Sequence, residues 1–294
     1  MAGLVIPRNL QTAAADNGAP EFRDWVAALP QNIDALADQW SLTVGEPFQP
    51  GGACAWVAPV SDSSGRDLVL KVGWQHSEAL HEPDGLRFWD GDGAVRLHSS
   101  EAAHQTTALL LERCQPGTPL NQELPDEEQD EVVADLLKRL WRQPTGTHPF
   151  RTLSLMCNQW ADEFEEGLTH TTNQLDPGLT RTGIGLFRSL AEPADSDVLL
   201  CTDLHAGNIL AAEREPWLMI DPKPYVGDPT YDALQHLLNC RERLTTDPVG
   251  LARRLADLLQ LDPDRLVLWL FARCVQESMN SAELGQVARH LAPD

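Results

Sequence analysis

Short, mostly apolar segments separated by turn residues recur in the first third of the chain, and this pattern predicts the strands of a sheet. The stretch S-D-S-S-G-R at 61–66 is a strong hairpin turn between two of the strands. A helix is predicted from His76 to Trp89, where D-G-D-G ends it. The strands are predicted at 41–48, 53–60, 67–74, 94–98 and 107–113. Upstream, 20–40 is predicted as a helix with a break near Pro30, and 1–20 as a loose arm.

Helical spacing of apolar residues dominates the chain from about residue 115. Only 198–221 interrupts it, with short strand-like pieces. Helices are predicted at 126–141, 152–170, 176–191, 230–246, 248–260 and 263–285. The pattern therefore predicts an α+β protein, with a small antiparallel-sheet lobe over 1–114, a hinge near 113–116, and a larger mainly helical lobe over 115–294.

The charge and the cysteines limit the class of protein. A net charge of −22 argues against binding a nucleic-acid backbone. The same charge favours a cationic small-molecule substrate through electrostatic steering, although it could equally serve solubility alone. No apolar run is long enough to span a bilayer, and the apolar start is too short for a secretory signal. Six cysteines without a C-x-x-C pair favour reduced thiols. We expect a cytoplasmic protein that binds neither membrane nor nucleic acid; the oligomeric state stays open.

Candidate chemistry lies in L-L-C-T-D-L-H-A-G-N-I-L, which places Asp203 and Asn208 five positions apart in an apolar run. Asp221 follows the apolar segment W-L-M-I. Phosphoryl transfer needs an aspartate at the acceptor hydroxyl and oxygen ligands for Mg²⁺. Asp203 fits the first task, and Asn208 with Asp221 fits the second. Taken singly, these residues could be turn caps or a strand end.

Lys71 is one of only three lysines, and it lies in the apolar segment L-V-L-K-V. Burying an ammonium is costly unless it has an acidic partner. The alternative is a lysine that extends to solvent from an edge strand.

The segments T-D-L-H-A-G-N-I-L and W-L-M-I-D-P-K-P-Y-V-G-D-P-T-Y-D resemble the aminoglycoside phosphotransferases of the protein-kinase-like fold. The resemblance covers about 40–240 and is closest to the streptomycin and hydroxyurea phosphotransferase branch. It implies a two-lobed kinase-like fold that uses ATP and Mg²⁺. Asp203 would be the catalytic base, and Asn208 and Asp221 would hold the metal.

The resemblance also implies a nucleotide site. Lys71 would contact the α- and β-phosphates and pair with Glu82, with Glu78 as the second choice. P-G-G-A could cover the phosphates or be only a hairpin turn, and Lys223 could contact a phosphate or the acceptor, or pair with an acid such as Asp228. Backbone groups near the hinge would hold adenine. The nucleotide-binding residues are then Gly51, Gly52, Lys71, Glu82, Glu112, Cys114 and Lys223.

One departure concerns the catalytic loop. The family often has His-Gly before the aspartate, where this chain has Cys201-Thr202. The expected acceptor is a streptomycin-like aminoglycoside, with hydroxyurea, another hydroxylated metabolite or an amino sugar as alternatives. From other classes, the chain could be a nucleotide-binding pseudokinase, or a metal-dependent hydrolase built on D-L-H, which lacks further histidines at ligand spacing.

Overall fold

The computed structural model describes residues 4–16, 19–103, 105–170 and 175–293. The contacts divide the chain into two compact units. Unit 1 comprises Met1–Gly117 with Ala212–Leu218, and unit 2 comprises Thr118–Ala211 with Met219–Asp294. The α+β class predicted from the pattern is confirmed: unit 1 carries an antiparallel sheet and unit 2 is mainly helical.

The sheet of unit 1 has five strands in the order β1-β2-β3-β5-β4, each antiparallel to its neighbour. They are β1 (Thr43–Val44), β2 (Ala55–Ser61), β3 (Asp67–Trp74), β4 (Leu97–Ala103) and β5 (Thr106–Glu112). Alternate residues of β2 and β3 are buried, because one face of the sheet packs on the core. β4 begins three residues later than the prediction of 94–98, although Ala94 and Val95 are both buried.

Two helices precede the sheet: α1 (Arg8–Asp16) and α2 (Pro20–Trp40). The prediction of a loose arm over 1–20 is wrong for its described part, because α1 buries Leu10 in the core of unit 1. The break near Pro30 is also wrong. α2 is continuous, and its buried stripe of Trp25, Leu29 and Ile33 keeps helical spacing through the proline. Packing of that stripe compensates for the hydrogen bond that Pro30 cannot donate. Residues 1–3, 17 and 18 of the predicted arm lie outside the described residues.

The predicted helix from His76 to Trp89 is two elements, a 3₁₀ turn at Glu78–His81 followed by α3 (Glu82–Trp89). Its left-handed end at Asp90 agrees with the predicted D-G-D-G stop.

Helices form most of unit 2, and two of the predicted ones are subdivided. Residues 230–246 form three helices: Ala233 separates the first two although it keeps helical angles, and Cys240, with ψ 52°, leaves the helical region before the third. Residues 263–285 are interrupted before Ser281, whose hydroxyl caps the next helix. The helices are α4 (Leu120–Glu123), α5 (Asp126–Leu140), α6 (Leu153–Leu168), α7 (Pro177–Ser189), α8 (Pro229–Asp232), α9 (Leu234–Asn239), α10 (Arg241–Thr246), α11 (Pro248–Leu259), α12 (Pro263–Glu277) and α13 (Ala282–His290).

Short strands in unit 2 set the position of the candidate site. They are β6 (Arg151–Thr152), β7 (Val198–Leu200), β8 (Ile209–Ala211), β9 (Trp217–Met219) and β10 (Tyr225–Gly227). β10 pairs antiparallel with β7 and parallel with β6. Because Tyr225 lies opposite Leu200, the segment that follows β7 lies beside the segment that precedes β10. Within the described residues, no helix is long and apolar enough to cross a membrane.

Candidate active site

The predicted catalytic loop follows β7 directly and is tied to the segment before β10. The Lys223 backbone N–H donates to the Cys201 carbonyl at 2.8 Å. The Thr202 hydroxyl donates to the Lys223 carbonyl at 2.6 Å. The two segments that carry the D-L-H-A-G-N and D-P-K-P motifs are therefore one hydrogen-bonded assembly in unit 2.

Asp232, a buried carboxylate on α8, binds the backbone of this loop. Asp232 is 0% exposed and accepts hydrogen bonds from the backbone N–H of Cys201 at 2.9 Å and of Thr202 at 2.6 Å. It also accepts from the Trp141 indole at 3.1 Å. Burial raises the pKa of Asp232 to about 6, although these hydrogen bonds act to lower it. Asp232 had no predicted role, although it is the last residue of the motif W-L-M-I-D-P-K-P-Y-V-G-D-P-T-Y-D.

Support through Asp232 shows how the loop keeps its shape with Cys201-Thr202 in place of His-Gly. Asp232 holds the backbone N–H groups of Cys201 and Thr202, and the Cys201 thiol also hydrogen-bonds to its carboxylate. Thr202 has a φ of 48°, a conformation that glycine adopts easily and a β-branched residue adopts only at a cost. Its hydroxyl and its N–H both form hydrogen bonds that compensate for this strain.

The carboxylate of Asp203 is held at both oxygens. Lys223 Nζ lies 2.7 Å from Oδ2, and the Gln235 side-chain amide donates to Oδ1 at 2.9 Å. The side chain of Asp203 is 14% exposed, so it stays within reach of a ligand. Asp228, the acid suggested as a partner for Lys223, instead accepts from Arg265 and from the Trp269 indole, each at 2.7 Å.

Asn208 and Asp221 lie on neighbouring backbone segments. The Ile220 N–H donates to the Asn208 carbonyl at 2.9 Å. The Asn208 side-chain amide donates to the Asp203 carbonyl at 3.0 Å, which orients its oxygen away from that bond. Asp221 has a φ of 54°, a strained backbone conformation of a kind that occurs often at functional sites. An amide oxygen and a carboxylate are ligands that Mg²⁺ accepts, so the donor set fits a magnesium ion.

His205 lies in the same loop as a neutral acceptor. Its Nδ1 accepts from the Gly207 N–H at 3.1 Å. Burial lowers the pKa of His205, although the charges of Asp203 and Asp221 act to raise it. Both carboxylates are thus close enough to act on one imidazole.

Lys71 and Glu82 form an ion pair within unit 1. Lys71 Nζ lies 2.7 Å and 2.8 Å from the two Glu82 oxygens. Glu82 is the first residue of α3 and is 3% exposed, whereas Glu78 belongs to the preceding 3₁₀ turn. A buried carboxylate that holds the ammonium through both oxygens fixes the direction of the lysine side chain.

The glycine loop of unit 1 packs against α1 and the residue before it. Gly51 has a φ of 76°, and a Cβ atom there would lie 2.5 Å from the Pro7 side chain. The Asn9 side chain donates to the Gly51 carbonyl at 2.8 Å. The positive φ and the contact with Pro7 therefore favour glycine at 51, whereas a Cβ atom at the exposed Gly52 would make only ordinary contacts, the nearest 3.7 Å from the Ala55 carbonyl oxygen.

The residues predicted to hold adenine have their side chains occupied or buried. Glu112 accepts from Arg214 Nε at 2.8 Å and Nη2 at 2.9 Å, and its backbone N–H donates to the Arg96 carbonyl at 2.8 Å. Cys114 is buried, which raises the pKa of its thiol to about 12. Adenine contacts at this end of β5 would have to come from other backbone groups, as the prediction of backbone binding allows.

A cavity of about 300 Å³ lies in unit 2 next to Gln235, the amide that holds Asp203. Among its lining residues, Arg273 donates to Glu277 at 2.6 Å, and the Arg273 guanidinium lies 4.7 Å from the centre of the Trp160 ring. The other side chains that define it are mostly polar: Asn239, Arg241, Asn280 and Ser281. The cavity was not predicted from the sequence, because its wall comes from α9, α10, α12 and the residues around α13.

A buried charge cluster anchors α9 on its other side. Asp130 accepts from His236 at 2.9 Å, from Arg243 at 2.6 Å and from Arg254 at 2.9 Å. Burial alone would lower the pKa of His236, but the hydrogen bond to Asp130 raises it to about 9. Cys240 is close enough to complete a metal-ligand triad, yet two guanidinium groups on the same carboxylate oppose a cation there.

Together, an antiparallel sheet with a Lys–Glu pair and a helical unit with this loop define a phosphotransferase of the protein-kinase-like fold. Solved structures share that fold. Amicoumacin kinase hAmiN, in complex with AMP-PNP, Ca²⁺ and Ami, matches 92% of this chain and 95% of its own with a TM-score of 0.59 and 14% identity. The macrolide 2'-phosphotransferase MphH from Brachybacterium faecium matches 90% of this chain and 97% of its own, with a TM-score of 0.55 and 13% identity.

The chain belongs to the aminoglycoside/hydroxyurea antibiotic resistance kinases, whose family model matches residues 40–285. It is 33% identical to streptomycin 6-kinase of Streptomyces griseus over 290 residues, which cover 96% of this chain and 92% of the relative. It is 35% identical to hydroxyurea phosphotransferase of Kitasatospora aureofaciens over 302 residues, which cover 98% and 83%. The predicted family is confirmed, and the protein is an ATP-dependent phosphotransferase with a hydroxyl acceptor.

Proposed function

We propose that this kinase transfers the γ-phosphate of ATP to a hydroxyl group of a small molecule, with Asp203 as the catalytic base. The observation that carries the proposal is the held carboxylate: Lys223 and Gln235 fix both oxygens of Asp203, on a loop that Asp232 supports. A base that is fixed before the substrate arrives loses little entropy at the moment of reaction.

In the proposed step, Asp203 accepts a hydrogen bond from the acceptor hydroxyl and takes its proton as the new bond forms. The acceptor oxygen bonds to the γ-phosphorus, the bond from that phosphorus to the β,γ-bridging oxygen breaks, and ADP leaves with the bonding pair. Lys223, an ammonium with three donors, lies at Asp203 and would also contact the transferred phosphoryl group.

We assign Mg²⁺ to Asn208 and Asp221. The Asn208 amide is oriented by its bond to the Asp203 carbonyl, and the backbone link to Ile220 keeps Asp221 on the adjacent segment. When bound, the ion would neutralise charge on the phosphate oxygens.

The nucleotide is assigned to unit 1. Lys71, directed by Glu82, would contact the α- and β-phosphates, and the loop at Gly51 and Gly52 would cover them. Backbone groups around Glu112 and Cys114 would hold adenine. The predicted lobe of 1–114 would therefore bind ATP, and 115–294 would carry catalysis and the acceptor.

A streptomycin-like aminoglycoside is the first acceptor to test, since the net charge of −22 favours a cation and streptomycin 6-kinase is a relative.

The cavity beside Gln235 favours a second candidate. Of its three charged lining residues, Arg241 and Arg273 are positive, and the only acid, Glu277, pairs with Arg273. Such a wall offers an acceptor hydrogen bonds rather than an excess of negative charge. It suits an uncharged hydroxylated molecule such as hydroxyurea.

The test is a transfer assay with Mg·ATP, followed by ³¹P NMR of the products. Streptomycin, other aminoglycosides, amino sugars and hydroxyurea are offered separately, and ADP release is measured in parallel. A new phosphoester from one acceptor supports the proposal and identifies that acceptor. ATP binding without product from any of these acceptors would refute the acceptor assignment and favour a nucleotide-binding pseudokinase.

A further inference from the structure

Gln235 on α9 makes a contact that no motif of the sequence predicted. Its side-chain Nε2 donates to Asp203 Oδ1 at 2.9 Å, across 32 residues of chain. The other carboxylate oxygen accepts from Lys223 at 2.7 Å. The plane of the Asp203 carboxylate is thus set by one neutral donor and one cationic donor.

The position of Gln235 follows from helix geometry. Residues three apart on a helix lie on one face, and Ala233 between α8 and α9 keeps helical dihedral angles. Asp232 therefore reaches the backbone of Cys201 and Thr202, while Gln235 reaches the side chain of Asp203. Two residues of one helical face hold three consecutive residues of the loop.

The neighbouring residue on α9 fixes this face in place. His236 is 1% exposed and bonds to Asp130 of α5 at 2.9 Å. Asp130 in turn accepts from Arg243 and Arg254, on α10 and α11. Because three other helices hold α9 through this cluster, the amide of Gln235 is presented on a rigid support.

Gln235 also lines the cavity of about 300 Å³, with Arg273, Glu277 and Asn280 among the other lining residues. A molecule in that cavity meets the amide that orients Asp203. A neutral donor orients the carboxylate without adding a second positive charge beside Lys223.

We infer that Gln235 is a positioning residue for phosphoryl transfer, which orients the Asp203 carboxylate for a hydroxyl acceptor in the cavity that Gln235 lines. This inference rests on the proposed role of Asp203 as base. The hydrogen bond from Gln235 uses one lone pair of Oδ1 and fixes the direction of the others, one of which accepts the acceptor hydroxyl.

The experiment compares Gln235→Met and Gln235→Glu in the full chain. Methionine keeps the length of the side chain without the donor, and glutamate keeps the shape with a second carboxylate next to Asp203. Gln286→Glu on α13, an exposed residue, adds the same charge as a matched control. For each variant, kcat and KM for ATP are measured from pH 5 to 9 with the acceptor found in the transfer assay, and urea unfolding verifies the fold.

The expected result for Gln235→Met is a kcat about ten- to a hundredfold lower, with KM for ATP unchanged, since a small misplacement of a catalytic group costs about that much. In Gln235→Glu the acid limb of the kcat profile moves up by about one pH unit or more, because the added carboxylate disfavours ionisation of Asp203. Gln286→Glu keeps the wild-type profile.

Folded Gln235 variants with wild-type kcat and acid limb would overturn the inference, provided that Asp203→Asn is inactive in the same assay. An active Asp203→Asn would instead refute the proposed base, and this separates the two failures.

Discussion

The packing of α7 against α12 gives a sharp test of how unit 2 supports its cavity. Gly183 lies on the buried side of α7, and a Cβ atom there would lie 2.5 Å, 2.6 Å and 2.7 Å from three Val275 side-chain atoms. Gly185, two residues on, is exposed and would meet nothing within 4 Å. Gly185→Ala therefore tests helix propensity alone, and Gly183→Ala tests helix propensity together with packing.

The magnitudes follow from these distances. Alanine replaces glycine in a helix interior with a gain of about 0.5–1 kcal/mol, and Gly185→Ala should show that gain alone. In Gly183→Ala, carbon atoms that prefer about 3.5–4 Å are forced about 1 Å closer. Overpacking of this kind costs about 1–3 kcal/mol, which outweighs the helix gain. We expect Gly183→Ala to be about 1–2 kcal/mol less stable than wild type.

The clash at Val275 should also change the shape of the cavity, because Val275 lies on α12 between the cavity-lining residues Arg273 and Glu277. Movement of α12 should raise KM for the acceptor while KM for ATP stays unchanged. Urea unfolding of wild type, Gly183→Ala and Gly185→Ala measures the stability difference, and steady-state kinetics measures the two constants.

Val275→Ala removes Cγ1 and Cγ2, two of the three atoms that the new methyl group meets. The double variant with Gly183→Ala should therefore be more stable than the sum of the single changes predicts. Equal stability of Gly183→Ala and Gly185→Ala, or strict additivity in the double variant, would refute the reasoning.

Three further outcomes are expected. Lys71→Met takes the ammonium away from the buried Glu82 carboxylate, so the free energy of unfolding should fall by about 3 kcal/mol and KM for ATP should rise. Glu82→Gln should lower the free energy of unfolding by less, and wild-type stability and KM in Lys71→Met would contradict this. Thr202→Gly relieves the strained φ, so its free energy of unfolding should stay within about 1 kcal/mol of wild type, whereas Thr202→Val keeps the strain, loses the hydroxyl hydrogen bond and should be less stable. A Thr202→Val variant more stable than Thr202→Gly in urea unfolding would contradict this. The pKa of His236 is raised to about 9, so the stability that protonated His236 contributes is complete below the usual histidine pKa near 6.5 and is lost as pH rises through 9. Midpoints of urea unfolding should show this loss in wild type and not in Asp130→Asn.

The sequence was sufficient for features that repeat along the chain or lie close together in it. Short apolar segments between turn signals located the strands of unit 1, although the prediction of 94–98 overlaps β4 only at Leu97 and His98. The family resemblance gave Glu82, eleven residues from Lys71, as the partner of that lysine. Helix breaks were harder to place. Pro30 did not break α2, because packing of its buried stripe outweighed the local penalty. The interruptions at Cys240 and before Ser281 depend on backbone angles and a cap that apolar spacing does not encode.

Residues that support the site from a distance could not be predicted in this way. Asp232 and Gln235 act on the loop across about thirty residues, through contacts that exist only once α8 and α9 are packed. A buried carboxylate and a half-buried amide in a helical segment look like ordinary polar positions in the sequence. Lys223 was an open choice for the same reason, since its partner depended on which acid the fold brings next to it.

The most direct test of the central claim is phosphate transfer by Asp203→Asn beside wild type and Asp257→Asn, an exposed aspartate on α11. Each protein is given Mg·ATP and the accepted substrate, and nucleotide binding is measured separately by calorimetry. The account predicts that Asp203→Asn binds ATP as wild type does and transfers phosphate at least about a hundredfold more slowly, while Asp257→Asn is unaffected. Transfer by Asp203→Asn at the wild-type rate would contradict the claim that Asp203 is the base.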